Sequence, residues 1–190
     1  MSTVASPEAP VAETAAVVVP VVHSLAWSDE LALNNAEMDH THVEFVELLA
    51  TCREALDGPE PALLAHFQAL VAHTEEHFGQ EDRWMAATQF GPAHCHAFQH
   101  QAVLGVMREC AKRAAEPHES DGSIDYEPLR VAVSELAVWF PQHAQTMDAG
   151  LAYHLATVGF DPATGTMRHP PVADEATAGG SCGTEGGGCA

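Results

Sequence analysis

The chain of 190 residues is long enough for one domain with a substantial core. Its 27 acidic and 7 basic residues give a formal charge of -20, which would repel nucleic-acid phosphates and anionic lipid surfaces. We therefore expect neither nucleic acid nor membrane as a partner. The 13 histidines outnumber Lys and Arg together, and histidine is the commonest metal-binding side chain. This excess indicates a metal site.

Composition also predicts the compartment and the folded region. The five cysteines show no paired framework, which fits a reducing cytoplasm. No export signal is evident, and no uncharged apolar run approaches the roughly 20 residues that span a bilayer. Residues 1–24, rich in Ala, Val, Pro and Glu, are expected to be a disordered arm, and residues 160–190 a Gly-rich flexible tail. The folded domain is then residues 25–159.

Apolar residues recur at helical spacing in four successive segments. The predicted helices cover approximately residues 43–57, 61–87, 93–115 and 126–158. Pro141 lies inside the fourth, and an interior proline removes a backbone hydrogen bond, so a kink or break is expected near Phe140. No strand pattern competes. Four helices joined by short turns predict an all-α, antiparallel four-helix bundle.

Two pairs of potential metal ligands have a spacing of four residues. His77 with Glu81, and His96 with His100, would each lie on one helix face, because residues four apart stack one turn above the other. Phe90-Gly91-Pro92 between the pairs is a turn signal, so the two helices should be antiparallel. Their ligands then point into a shared space.

The other two helices offer further ligands. The first carries His42 beside its apolar stripe, and the fourth carries His143 and Asp148. These last two are five residues apart, which separates them by about 140° on a regular α-helix. Spacing alone therefore does not pair them. With contributions from all four helices, the bundle interior is predicted to hold a two-metal site.

Four motifs carry a family resemblance. MDHTH (38–42), HFGQE (77–81), HAFQH (96–100) and HAQTMD (143–148), the last preceded by Trp139, occur in this order. From Trp27 to about Leu155 the chain resembles bacterial hemerythrins, which are non-haem di-iron oxygen-binding proteins with a bundle fold. The resemblance implies two iron ions, bridged by oxo or hydroxo and carboxylate groups, and seven ligands: His42, His77, Glu81, His96, His100, His143 and Asp148.

The resemblance also implies how these ligands are shared. The carboxylates bridge, one iron takes three histidines, and the other takes two: His96, His100 and His143 on the first, His42 and His77 on the second. Two six-coordinate irons offer about twelve positions, of which these ligands and one oxygen bridge fill about eleven. The remaining position, on the two-histidine iron, is where dioxygen would bind.

Bulky side chains are expected to wall the ligand pocket and to slow solvent entry. The candidates are Phe45, Phe78, Trp139 and Leu151. His73 lies one turn before His77 on the same side of its helix. It is expected either to form a hydrogen bond or substitute near the site, or simply to pack.

The leading hypothesis is a monomeric binding protein, not an enzyme, that binds dioxygen reversibly for storage, delivery or scavenging. A second hypothesis is a sensor of oxygen, redox state or nitric oxide, or a peroxide-processing enzyme, that uses the same centre. A third is an iron-handling protein without gas chemistry. The remaining alternative is a bundle whose histidines bind nothing specific, or bind zinc.

Overall fold

The computed structural model of the protein describes residues 24–118 and 120–168. Five α-helices are α1 Ala36–Glu54, α2 Glu60–Thr88, α3 Ala93–Ala115, α4 Glu127–His143 and α5 Ala149–Val158. A π-helical turn, Ala144–Asp148, joins α4 directly to α5, so these segments form one long fourth helix. Short 3-10 turns precede and follow α1 at Asp29–Leu31 and Ala55–Asp57.

The helices pack as a ring of four. α2 packs against α1 and α3, and α4 in turn packs against α3 and α1. The connections from α1 to α2 and from α2 to α3 are only a few residues long, so consecutive helices reverse direction. The predicted four-helix bundle is confirmed.

Local sequence determines where these helices start and stop. The Asn35 side chain caps α1 by accepting a hydrogen bond from the backbone N–H of Met38, as an N-cap residue should. α2 ends where Gln89 adopts a left-handed conformation with φ 53°. Phe90 then donates its backbone N–H to the carbonyl of Met85 at 3.0 Å, which satisfies a terminal carbonyl of the helix.

Of the kink or break expected near Phe140, the break does not occur. α4 continues through Pro141 to His143, and the irregularity lies beyond it, in the π turn. Pro141 removes one helical hydrogen bond, but buried residues follow it at His143, Ala144 and Asp148. Packing of this segment outweighs the local preference for a break.

Order extends past the predicted domain end. Residues Phe160–Asp161 and Thr166–Met167 pair as a two-stranded antiparallel hairpin, a strand feature that the sequence did not predict. Phe160 is buried in an apolar cluster with Leu155 and Leu151, which holds the hairpin against α5. The rest of the predicted tail, 169–190, and residues 1–23 of the predicted arm lie outside the described residues.

A polar layer separates two apolar clusters in the bundle. One cluster includes Phe45, Phe67 and Phe140, and the other includes Met38 and Leu151. On α1, His42 lies between Met38 of one cluster and Phe45 of the other. His42 is therefore buried between the two apolar clusters.

Within residues 24–118 and 120–168, none of the helices combines the length and hydrophobicity that a membrane span requires. Cys52 and Cys110 carry free thiols. Burial raises the pKa of the Cys52 thiol to about 12, so this cysteine is an unreactive core residue.

Candidate metal centre

The structure brings all seven predicted ligands into one buried cluster. Each is exposed by no more than 3%, although polar side chains are rarely buried without partners. Their possible ligand atoms form two groups, and within each group the atoms lie within 4.8 Å of one another. The groups are His42, His77 and Glu81, and Glu81, His96, His100, His143 and Asp148.

Glu81 belongs to both groups. Its Oε1 atom is 2.9 Å from Nε2 of His77 and 3.9 Å from Nε2 of His42. Its Oε2 atom is 3.3 Å from Nε2 of His96 and 3.4 Å from Nε2 of His100. The two oxygens of one carboxylate are thus directed to different sets of imidazoles.

Asp148 repeats this arrangement from the fourth helix. Its Oδ1 atom is 2.9 Å from Nε2 of His96 and 3.1 Å from Nε2 of His143. Its Oδ2 atom is 3.3 Å from Nε2 of His42. Both carboxylates therefore connect a set of three histidines with a set of two.

The π turn accounts for the five-residue spacing of His143 and Asp148. In this turn the backbone N–H of Ala149 donates to the carbonyl of Ala144, five residues earlier. Each π turn holds one residue more than an α turn, so residues five apart return to the same face. The 140° separation on a regular α-helix does not arise.

Several buried polar atoms of the cluster lack hydrogen-bond partners. They are Nδ1 and Nε2 of His42, Nδ1 of His77, Nδ1 of His96, Oε2 of Glu81 and Oδ2 of Asp148. Leaving such groups unsatisfied costs roughly 1–3 kcal/mol each. Cations bound among them would satisfy the inward-facing nitrogens and oxygens, and five imidazoles with two carboxylates are a donor set suited to iron. The residues present fit a metal centre.

The electrostatics of the cluster favour ionised carboxylates. Burial and Asp148 act to raise the pKa of Glu81, but His77 and His100 outweigh them and hold that pKa below its usual range. Burial opposes ionisation of Asp148 too, yet the imidazoles of His143, His42 and His96, whose Nε2 atoms lie 2.9–3.3 Å from its oxygens, hold its pKa well below the usual range. The cluster therefore keeps two negative charges for a cation.

The carboxylates in turn raise the pKa values of two histidines of the cluster. Burial acts to lower the pKa of His96, but Asp148 and Glu81 outweigh it and raise the pKa to about 9. The pKa of His77 is also raised, because Glu81 outweighs the effect of burial. At neutral pH, a proton on His96 thus occupies a position that a metal ion would take.

Two of the predicted wall residues lie directly against ligand rings. Phe78 stacks on His100 with centroids 3.9 Å apart, and Trp139 stacks on His143 at 4.4 Å. Trp139 also lines an apolar groove of about 280 Å³ between α3 and α4. These two rings cover the three-histidine side of the cluster.

The other two predicted walls act less directly. Phe45 stacks on Phe140 at 4.5 Å, and it is the edge of Phe140 that meets His42, at 5.1 Å. Leu151 is fully buried in the apolar cluster beside the site. Sequence reasoning missed Phe140, although its spacing three residues before His143 placed it on the same face of the helix.

His73 does not join either group of metal-site atoms. Its Nε2–H donates to the backbone carbonyl of Thr41 at 3.1 Å, and its ring lies 6.0 Å from that of His77. Burial lowers the pKa of His73 despite this hydrogen bond. Of the expected roles, the structure shows a hydrogen bond between α2 and α1, one residue from His42.

Two polar residues behind the histidines were not singled out from sequence. Oδ1 of Asp82 lies 3.3 Å from Nδ1 of His100, and Oε1 of Gln99 lies 3.1 Å from Nδ1 of His143. Asp82 follows Glu81 and Gln99 precedes His100 in the sequence. Adjacency to a predicted ligand was the one available signal.

The fold and the cluster together define a four-helix-bundle protein with a cation-binding site. Residues 34–155 match the hemerythrin HHE cation-binding domain. The chain is also similar to the bacteriohemerythrin of Ralstonia nicotianae (strain ATCC BAA-1114 / GMI1000), with 37% identity over 143 residues, covering 75% of this chain and 95% of the relative. The chain belongs to the hemerythrin family.

Proposed function

We propose that this protein binds dioxygen reversibly at a non-haem di-iron centre. The observation that carries the proposal is that the two oxygens of each carboxylate face different sets of histidines. Glu81 and Asp148 each direct one oxygen to the three-histidine set and the other to the two-histidine set. This arrangement suits two cations held side by side and bridged.

Each set would hold one iron ion. His96, His100 and His143 supply three imidazoles on one side, whereas His42 and His77 supply two on the other. The two-histidine side then has fewer protein ligands, which leaves room there for a small molecule. When bound, a pair of ferrous ions can give two electrons to dioxygen and recover them on release.

The chain's own residues support binding rather than turnover. All seven ligands are buried, and apolar rings including Phe78 and Phe140 contact the imidazoles. A closed apolar surround excludes water and larger substrates. The proposed role is therefore storage, delivery or scavenging of dioxygen, in a protein that is not an enzyme.

The first experiment measures iron per chain, with the optical spectrum of the reduced protein before and after air is admitted. About two irons and an oxygen-dependent charge-transfer band that disappears under vacuum are expected. Immediate irreversible oxidation would contradict oxygen carriage and favour peroxide processing or sensing of redox state or nitric oxide. Absence of iron binding would overturn the di-iron assignment.

Removal of one bridging carboxylate tests the site itself. Glu81→Ala should reduce iron from about two to at most one per chain and abolish the oxygen-dependent band, because both sets lose a shared ligand. Glu75→Ala removes an exposed carboxylate of the same helix that pairs with Arg108. This matched control should retain both irons. Retention of two irons in Glu81→Ala would rule out this ligand set.

A further inference from the structure

The five histidines of the cluster differ at their outer nitrogen atoms. Nδ1 of His100 is hydrogen-bonded to Asp82, and Nδ1 of His143 is hydrogen-bonded to Gln99. The corresponding atoms have no hydrogen-bond partner in the three others, His42, His77 and His96. Outer contacts are therefore concentrated on one side of the centre.

These contacts determine which nitrogen carries the proton. The oxygens of an ionised Asp82 and of the Gln99 amide can only accept hydrogen bonds. Nδ1 of His100 and Nδ1 of His143 must then be the donors, which leaves each neutral ring with a lone pair on Nε2. The two Nε2 atoms face each other 3.2 Å apart. Both lone pairs therefore point into the cluster, where they are available to a cation.

The orientation of the same two rings is also constrained by stacking. Phe78 is nearly parallel to His100, at 4°, and Trp139 is close to parallel to His143, at 20°. Stacking still permits a 180° flip of the ring about its Cβ–Cγ bond, and a hydrogen bond at Nδ1 selects one of the two orientations. Each imidazole is thus aligned by one apolar and one polar contact.

We propose that Asp82 and Gln99 are positioning residues that preorganise His100 and His143 for metal, and that Asp82 also tunes the electron density of the centre. This inference rests on the proposed function for its iron chemistry, but its orientation part concerns the metal-free protein. Outer hydrogen bonds fix the tautomer of a ligating histidine and raise its basicity.

The two residues differ in charge, and this gives them different effects. Asp82 places an anion behind His100, which favours the more positive, oxidised state of the bound metal. Gln99 is neutral and supplies orientation alone. The Asp82 side chain is 44% exposed, so solvent screens its charge and the tuning is modest.

The first test uses metal-free protein and needs no iron. Long-range proton–nitrogen NMR of the imidazoles should show His100 and His143 as the Nδ1–H tautomer. Asp82→Leu should shift His100 alone toward a tautomer mixture, and Gln99→Leu should shift His143 alone. Unchanged tautomers in both variants would overturn the positioning role.

The second test measures Co²⁺ affinity. Loss of such outer partners typically weakens metal binding 10- to 100-fold, so Asp82→Leu and Gln99→Leu should each raise the dissociation constant by about that factor. Glu75→Leu, at an exposed position of the same helix, is the matched control and should bind as the wild type does. Equal affinity in all four proteins would contradict the inference.

A third measurement separates charge from orientation. Asp82→Asn keeps an acceptor oxygen, so the tautomer should be retained, but the reduction potential of the iron-loaded centre should rise. Gln99→Glu adds an anion behind His143, so the reduction potential of the iron-loaded centre should fall in this variant. Shifts in the reverse order, or none, would overturn the tuning role. A chain that binds Co²⁺ with these tautomers but never shows reversible oxygen binding would overturn the proposed function alone.

Discussion

At the scale of single residues, the cluster is built from groups whose charges depend on one another. Glu81 and Asp148 stay ionised in a fully buried site because imidazoles surround them. In return they raise the pKa of His96 to about 9 against the opposing effect of burial. The metal-free site is therefore stabilised by protons at the positions that cations would occupy.

Because a proton and a metal ion compete for the same position at His96, the stabilisation by metal should depend on pH. The pKa of His96 is higher in the folded protein than its ordinary value near 6.5, so its contribution to stability is complete below about 6.5 and is lost as pH rises through about 9. Metal replaces the proton and removes this loss. The difference in Tm between metal-loaded and metal-free protein should widen from pH 6.5 to 9, as calorimetry would show. Parallel curves would contradict this account.

His73 gives a second prediction at this scale. Because it donates to the Thr41 carbonyl and lies outside both groups of metal-site atoms, His73→Phe should keep about two irons per chain. Loss of one hydrogen bond should lower the free energy of unfolding by about 1 kcal/mol in urea titrations. His77→Phe is the matched control and should lose iron. Iron loss in His73→Phe would place His73 among the ligands.

At the scale of elements, the fourth helix shows how one extra residue is accommodated. A π turn inside an α-helix is equivalent to an α-helix with one residue inserted. The turn absorbs this residue between His143 and Asp148 and leaves both facing the cluster, with Nε2 and Oδ1 3.1 Å apart. Both α4, before the turn, and α5, after it, keep a face of buried residues.

A deletion tests this view of the turn. Removal of the exposed Thr146 should convert the π turn to a regular α turn, so that His143 and Asp148 become four residues apart and stay on one face. Iron content by metal analysis should remain about two per chain. Insertion of one Ala at the same place should rotate Asp148 out of the cluster by about 100°. The iron content should then fall. Loss of iron on deletion would show that the π geometry itself is required.

At the scale of the whole molecule, negative charge opposes the compact fold. The net charge is -20, and the Arg–Glu pairs within residues 24–118 and 120–168 are Arg108–Glu75, Arg113–Glu109 and Arg130–Glu60. Such partly exposed pairs contribute little. We therefore expect the repulsion between like charges to exceed the attraction within these pairs.

Salt should accordingly stabilise this protein. Raising NaCl from about 20 to 500 mM shortens the screening length several-fold, and each 1 kcal/mol gained should raise Tm by roughly 2–4 °C. Thermal unfolding of the metal-free chain measures the effect. A variant with Glu47, Glu76 and Glu135, all exposed, changed to Gln should respond less. A Tm that falls with salt would show that attractive pairs dominate.

The sequence by itself determined the four helices, their order and the seven residues that meet in the bundle. Helical periodicity and turn residues are local signals, so α3 begins and ends where predicted. His77 with Glu81, and His96 with His100, could be paired by spacing because both lie on regular helices. The inclusion of His143 and Asp148 depended on family resemblance, since five-residue spacing gives no shared face on a regular α-helix.

The tertiary structure alone decided the π turn, the passage of the helix through Pro141 and the burial of Phe160 in a hairpin. It also decided which oxygen of each carboxylate faces which histidine, and it placed Asp82 and Gln99 behind two of the rings. These features follow from packing between segments far apart in sequence, such as those of His100 and His143, which are 43 positions apart. Local periodicity carries no information about contacts of that range.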